Sequence, residues 1–167
     1  MTGVQTCALP ICKINLKGNF AVRERAKRAD YILYLNKNKP IAVVEAKDNR
    51  HEMSHGLQQA MSYAQMLDVP FAYSSNGDGF VEHDFLTGAE RRITLEEFPT
   101  EQELTARYVE ESNLSREELS IINQSYYSDQ NTYSPRYYQR NAINRTVEAI
   151  ARGQERLLLV IDRKSVV

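Results

Sequence analysis

Tryptophan is absent from the 167 residues, and glycine (7), proline (5) and cysteine (2) are sparse. So little glycine and proline excludes a fibrous or low-complexity chain. Cys7 and Cys12 allow at most one bridge, which excludes a disulfide scaffold. Long apolar runs are also missing. The longest, Pro40–Val44 and Leu157–Ile161, fall far short of the roughly 20 residues a membrane-spanning helix needs, so no membrane is expected as a partner. No cationic segment precedes the apolar patch Ala8–Ile11, which speaks against a secretory leader. A net charge of −1 shows no overall excess of either sign, but the average hides two patches. Bases dominate Lys13–Arg28, where Glu24 is the single acid, and acids dominate from Glu90 to Glu118. The basic end suits phosphates; the acidic stretch reads as a solvated helical face.

The two ends read as foreign. Thr2–Ile11 and Asp162–Val167 resemble translations of a common short-read sequencing adapter, one at each end in the matching orientation. Met1–Ile11 and Asp162–Val167 are therefore set aside from fold reasoning, and Cys12 and Ile161 straddle the joins. The remainder has the length of one ordinary domain with a fragment of a second.

Ala29–Asn36 and Pro40–Lys47 are rich in β-formers, and the Asn36–Lys39 stretch supplies turn chemistry, so the pair reads as an antiparallel hairpin. The unbroken apolar run Ile41–Val44 suggests a strand covered on both faces. Apolar spacing predicts a helix from about Met53 to Asp68, then a strand at Val69–Ser74, a turn at Asn76–Gly79 and a returning strand at Phe80–Phe85. Beyond Pro99 the pattern turns helical, with capping boxes at Thr100/Glu103 and Ser115/Glu118. Ser125–Tyr133 reads as a connector. Ser134–Pro135 opens a further helix ending near Arg152–Gly153, and Leu157–Val160 begins a strand.

Three side chains carry the chemistry. Glu45 and Lys47 lie two apart on one strand and so share a face. A hairpin turning near Asn38 places Asp30 beside Glu45 or Ala46. Two carboxylates and an ammonium then meet at the end of an otherwise apolar strand. Such burial is costly unless a divalent cation joins the carboxylates, and Mg²⁺ accepts one or two carboxylates plus water and phosphate oxygens. An adjacent lysine can orient the attacking water and stabilise developing charge. This is equipment for phosphodiester hydrolysis. The plain alternative is a surface ion pair on an edge strand.

Asp30 followed by Glu45-Ala46-Lys47 resembles the PD-(D/E)xK nuclease signature, and Gln59-Ala60-Met61-Ser62-Tyr63 resembles the Gln-x-x-x-Tyr motif of its RecB-like branch. The wider string from Arg25 to Leu67 resembles the N-terminal nuclease domain of type I restriction enzyme R (HsdR) subunits. The similarity runs on to Arg136-Tyr137-Tyr138-Gln139, which resembles the Q motif opening the superfamily 2 helicase motor of those subunits.

The resemblance implies an α/β fold, a restriction-endonuclease-like mixed sheet flanked by helices and followed by a helical connector. It implies a nuclease domain over 12–98 lacking its first helix, a connector over 99–133 and the start of a motor over 134–161. Asp30 and Glu45 would bind Mg²⁺ and Lys47 would position water. Gln59 and Tyr63 would support the site or touch DNA, and Lys27 with Arg28 are candidate phosphate contacts. Arg136, Tyr138 and Gln139 would form the nucleotide site of the parent, with Gln139 reading adenine. Expected partners are double-stranded DNA and the methyltransferase (M) and specificity (S) subunits, with Mg²⁺ and, in the full-length parent, ATP as cofactors, in a prokaryotic cytoplasm. No Walker A loop follows Leu157–Val160, so ATP hydrolysis is not expected of this polypeptide.

Two other readings compete: a stand-alone RecB-like repair or phage nuclease, and a non-catalytic DNA-binding module keeping the fold. His51 and His55 have helical spacing but no third ligand nearby, so a solvated helix start is favoured over zinc. Tyr126, Tyr127, Tyr133, Tyr137 and Tyr138 suit base stacking or, more commonly, linker packing.

Overall fold

A computed structural model describes residues 5–6, 14–17, 20–23, 28–36, 38–126 and 135–159. Its centre is the hairpin of β4 (Tyr31–Asn36) and β5 (Lys39–Ala46). Asn36 makes the turn: its Oδ1 accepts from the amides of Asn38 and Lys39, each at 2.9 Å. Tyr31 stands opposite Val44 and Ile32 opposite Val43, which brings Asp30 beside Glu45. From Pro40 to Glu45 every residue of β5 is buried, as the apolar run requires.

A crossover of strand, helix and strand follows, as parallel neighbours need. Helix α1 (Leu57–Leu67) buries Leu57, Ala60, Tyr63, Ala64 and Leu67 and leads to β6 (Phe71–Ser75), which pairs parallel to β5. The helix starts later than the expected Met53. Residues 53–56 are turns instead, with Gly56 as the N-cap. It ends at Asp68, whose φ of 57° lies in the left-handed region.

Strand β6 turns through Asn76–Asp78 into β7 (Gly79–Asp84), with Gly77 at φ +96°. An unexpected strand, β8 (Glu90–Thr94), pairs next to β7. Glu90 therefore lies on a strand, not on the expected helical face. An edge strand needs only one buried apolar residue, here Ile93, and its charges guard against further pairing.

The two-residue β1 (Gln5–Thr6), inside the stretch set aside above, pairs with Ile32 and Tyr31 on the outer edge of β4. The sheet order is β1-β4-β5-β6-β7-β8. A separate ribbon joins β2 (Ile14–Lys17) to β3 (Phe20–Arg23), which the basic patch concealed.

Alternate residues face opposite layers. Ile32, Val43 and Ala72 pack with α1, while Val44, Phe71, Tyr73 and Ile93 meet Leu104, Tyr108, Leu114 and Ile122. The last four belong to α2 (Glu101–Glu111), α3 (Arg116–Ile122) and the link between them. Both expected capping boxes, at Thr100 and Ser115, are present. A polar knot ties α2 to the sheet. Glu82, 1% exposed, accepts from Tyr73 Oη (2.5 Å), Arg91 Nε (2.7 Å) and Arg107 Nη2 (2.9 Å), and Arg107 also donates to Asp84 at 2.7 Å.

Helix α4 (Tyr137–Ala151) docks on the sheet's opposite end by polar groups, and none of its residues is buried. Asn141 donates to the Met66 carbonyl at 2.9 Å, Asn144 to that of Asn38 at 3.2 Å, and Arg145 pairs with Asp68. The N-cap is Arg136, not Ser134, which lies outside the described residues along with most of the expected connector. Gly153 follows the helix at φ +75°, as expected of a glycine there. Leu157–Leu159 do not form the expected strand. Among the described residues no strand pairs with them, and Leu158 is 90% exposed. Among the described residues no helix is long and apolar enough to cross a membrane.

Candidate active site

The carboxyl-terminal end of β5 gathers the chemistry. Glu45 is the last buried residue of the strand and is wholly enclosed, whereas Asp30 at the hairpin's open end is exposed. The two are interlaced: the Asp30 amide donates to Glu45 Oε1 at 3.2 Å, and the Ala46 amide donates to Asp30 Oδ2 at 2.9 Å. Both carboxylates are thus fixed by backbone, not by flexible partners.

Lys47 Nζ lies 3.5 Å from Glu45 Oε2 and donates to Gln59 Oε1 at 3.3 Å. Gln59 in turn donates from Nε2 to Tyr63 Oη at 3.1 Å. Gln59 and Tyr63, one turn apart on α1, form a chain that holds the ammonium over Glu45. Tyr63 is itself 3% exposed and packed in the core, so the chain has a rigid root.

The electrostatics are those of an unfinished site. Burial, and then the charge of Asp30, raise the Glu45 carboxyl to about 7, against the pull of the Asp30 amide and Lys47. Glu45 Oε2 is buried and accepts no hydrogen bond. A natural fold rarely leaves such an atom unsatisfied without a reason. Two carboxylates side by side, one with an orphan oxygen, fit a hard divalent cation that keeps its own waters. Among the described residues no three His, Cys, Asp or Glu side chains form a protein-only cage. His51 and His55 stack with centroids 4.3 Å apart before α1, and Asp48 Oδ1 lies 3.8 Å from His51 Nε2, but among the described residues these do not make a three-ligand metal group. These exposed rings precede the helix and do not begin it.

The remaining expected site residues fall elsewhere. Lys27 lies outside the described residues, and Arg28 is exposed at the approach to Asp30. Arg136, Tyr138 and Gln139 sit at the start of α4, where Gln139 Oε1 accepts from the Arg136 amide at 2.9 Å and Arg136 contacts Tyr138 Oη at 3.4 Å. None of these contacts reaches Asp30, Glu45 or Lys47. Tyr137 and Tyr138 meet edge to face at 5.6 Å, and Tyr127 and Tyr133 lie outside the described residues. Sequence reasoning missed Gly56 and Ser74, which pack directly beside the site.

Comparison with known proteins identifies the family and the fold. Residues 4–99 match the family described as type I restriction enzyme R protein N terminus (HSDR_N). Over 153 residues, 89% of the chain, the sequence is 43% identical to the type I restriction enzyme EcoAI endonuclease subunit of Escherichia coli. The chain spans 19% of that relative's length. A solved fragment assigned to an HsdR subunit of a type I restriction enzyme from Vibrio vulnificus YJ016 superposes with a TM-score of 0.73 at 36% identity, covering 90% of this chain and 28% of that one. The mixed sheet with helices on both faces is accordingly the restriction-endonuclease-like α/β fold, and the chain belongs to the N-terminal region of the type I restriction enzyme R (HsdR) family.

Proposed function

We propose that this chain carries the Mg²⁺-dependent DNA endonuclease site of a type I restriction enzyme. The observation that carries the reading is the buried Glu45 Oε2, which accepts no hydrogen bond and has the Lys47 ammonium 3.5 Å away, next to Asp30. Asp30 and Glu45 would hold the ion, which when bound neutralises phosphate charge and makes water easier to deprotonate. Lys47, kept in place by Gln59 and Tyr63, orients the attacking water through its ammonium and stabilises charge developing on the phosphoryl oxygens. Burial first and then the Asp30 charge raise the Glu45 carboxyl, and a bound cation would offset both costs.

The substrate is double-stranded DNA, and the working assembly includes methyltransferase and specificity subunits acting in a prokaryotic cytoplasm. In the full-length parent, ATP-driven translocation precedes cleavage, with Arg136, Tyr138 and Gln139 at the nucleotide. Replacing Glu45 or Lys47 by Ala in the full-length R subunit, assembled with its partners, should abolish plasmid cleavage and leave ATP hydrolysis intact. Cleavage at the wild-type rate by either variant overturns the site assignment.

A further inference from the structure

Gly56, the N-cap of α1, is buried, and its amide donates to Ser74 Oγ at 3.0 Å. Ser74 is fully buried and pairs with Glu45 across the parallel strands. The backbone of Gly56, at φ −88°, is open to any residue. Space is what excludes a side chain. A Cβ there would lie 2.9 Å from Ser74 Oγ and 3.3 Å from both Glu45 Cβ and Lys47 Cε.

The three neighbours differ in how they can yield. Glu45 Cβ is fixed to the backbone of a central strand. The Ser74 hydroxyl is held by the Gly56 amide in a closed environment. Lys47 alone has freely rotating methylenes, and its Nζ contacts Gln59 and Glu45. A methyl at position 56 must therefore displace Ser74 Oγ or the start of α1, and at 3.3 Å it also presses the Lys47 stem, the neighbour that yields most easily and carries the ammonium with it.

We propose that Gly56 is a positioning residue, whose missing side chain sets how closely α1 approaches the end of β5 and so where Lys47 Nζ stands over Glu45. This rests on Asp30, Glu45 and Lys47 being the nuclease site. The test uses the full-length R subunit with its partner subunits. Gly56→Ala should lower the single-turnover cleavage rate at least tenfold, while Mn²⁺ affinity measured without nucleotide, and DNA affinity, change less than twofold. Loss confined to rate is the signature of a displaced lysine, because a collapsed site would lose the ion as well.

Glu45→Ala, measured alongside, separates the two claims. If Glu45→Ala cleaves normally, the nuclease assignment fails. If Glu45→Ala is inactive but Gly56→Ala cleaves at the wild-type rate, or loses Mn²⁺ affinity as steeply as rate, the positioning role fails. Should Gly56→Ala not fold, Gly56→Ala/Ser74→Ala removes the 2.9 Å contact and keeps those to Glu45 Cβ and Lys47 Cε. That double variant should remain at least tenfold slower than Ser74→Ala alone; equal rates overturn the proposal.

Discussion

Glu45→Gln should make the fold more stable at pH 8 while eliminating cleavage by the full-length parent. The folded chain raises the Glu45 carboxyl from 4.5 to about 7, so folding favours the protonated form. The linkage sign follows directly. The stability this group contributes is complete below pH 4.5, declines as pH rises and is lost once pH passes 7. At about 1.4 kcal/mol per unit, the shift caps the penalty near 3 kcal/mol. The attraction of Lys47 is already contained in that shift, and burying the glutamine amide costs part of the gain, so the expected net gain at pH 8 is about 1–3 kcal/mol. Glutamine keeps the acceptor for the Asp30 amide, so the hairpin itself is not disturbed. Urea unfolding of both forms at pH 8 and pH 5, with and without Mg²⁺, measures this. The gain should largely vanish at pH 5, and Mg²⁺ at pH 8 should stabilise the parent chain but not Glu45→Gln. A Glu45→Gln variant less stable than its parent at pH 8, or a gain equal at both pH values, refutes the reasoning.

Two further substitutions probe the frame around the site. Glu82→Ala strands Tyr73 Oη and Arg107 in the interior, and should cost about 3–5 kcal/mol in urea unfolding. Burial pushes the Glu82 carboxyl up, but hydrogen bonds from Arg107, Arg91 and Tyr73 outweigh it and hold the group at about 2. Its contribution is therefore present above pH 4.5 and lost as pH falls through 2, opposite in sign to that of Glu45. Thr100→Ala removes the acceptor for the Glu103 amide and should cost about 1 kcal/mol, read as a lower urea midpoint with unchanged slope.

What the sequence reveals depends on the reach of each interaction. Asp30 and Glu45 are only 15 residues apart across a tight hairpin, so an Asn-based turn and a period of two suffice to bring them together. The capping boxes at Thr100 and Ser115 are more local still. β8 is hidden by its own composition, because an edge strand that buries Ile93 alone shows no period of two. The Glu82 knot joins residues up to 25 apart on four elements, and nothing near Glu82 distinguishes it from a surface acid. The displaced start of α4 is a local competition instead: the Gln139 side chain bonds the Arg136 amide, and this acceptor competes with the serine cap that the Ser134–Pro135 pair suggests.

The site combines both ranges. Its acids are local, but Gln59 reaches Lys47 only because the crossover returns α1 along the face that carries Glu45. The loop leaving β5 brings the start of α1 back against the end of that strand, where Gly56 meets Ser74, Glu45 and Lys47. Contact at that junction then depends on side-chain volume. Leucine or alanine would serve equally well inside a helix, so periodicity gives no weight to Gly56, and an expected start at Met53 places it at the end of the first turn. Only the 2.9 Å and 3.3 Å clearances around it reveal that a missing methyl there is part of the geometry of Lys47. A lysine two residues after a buried acid thus specifies the chemistry, and the helix approach specifies whether that lysine can reach it.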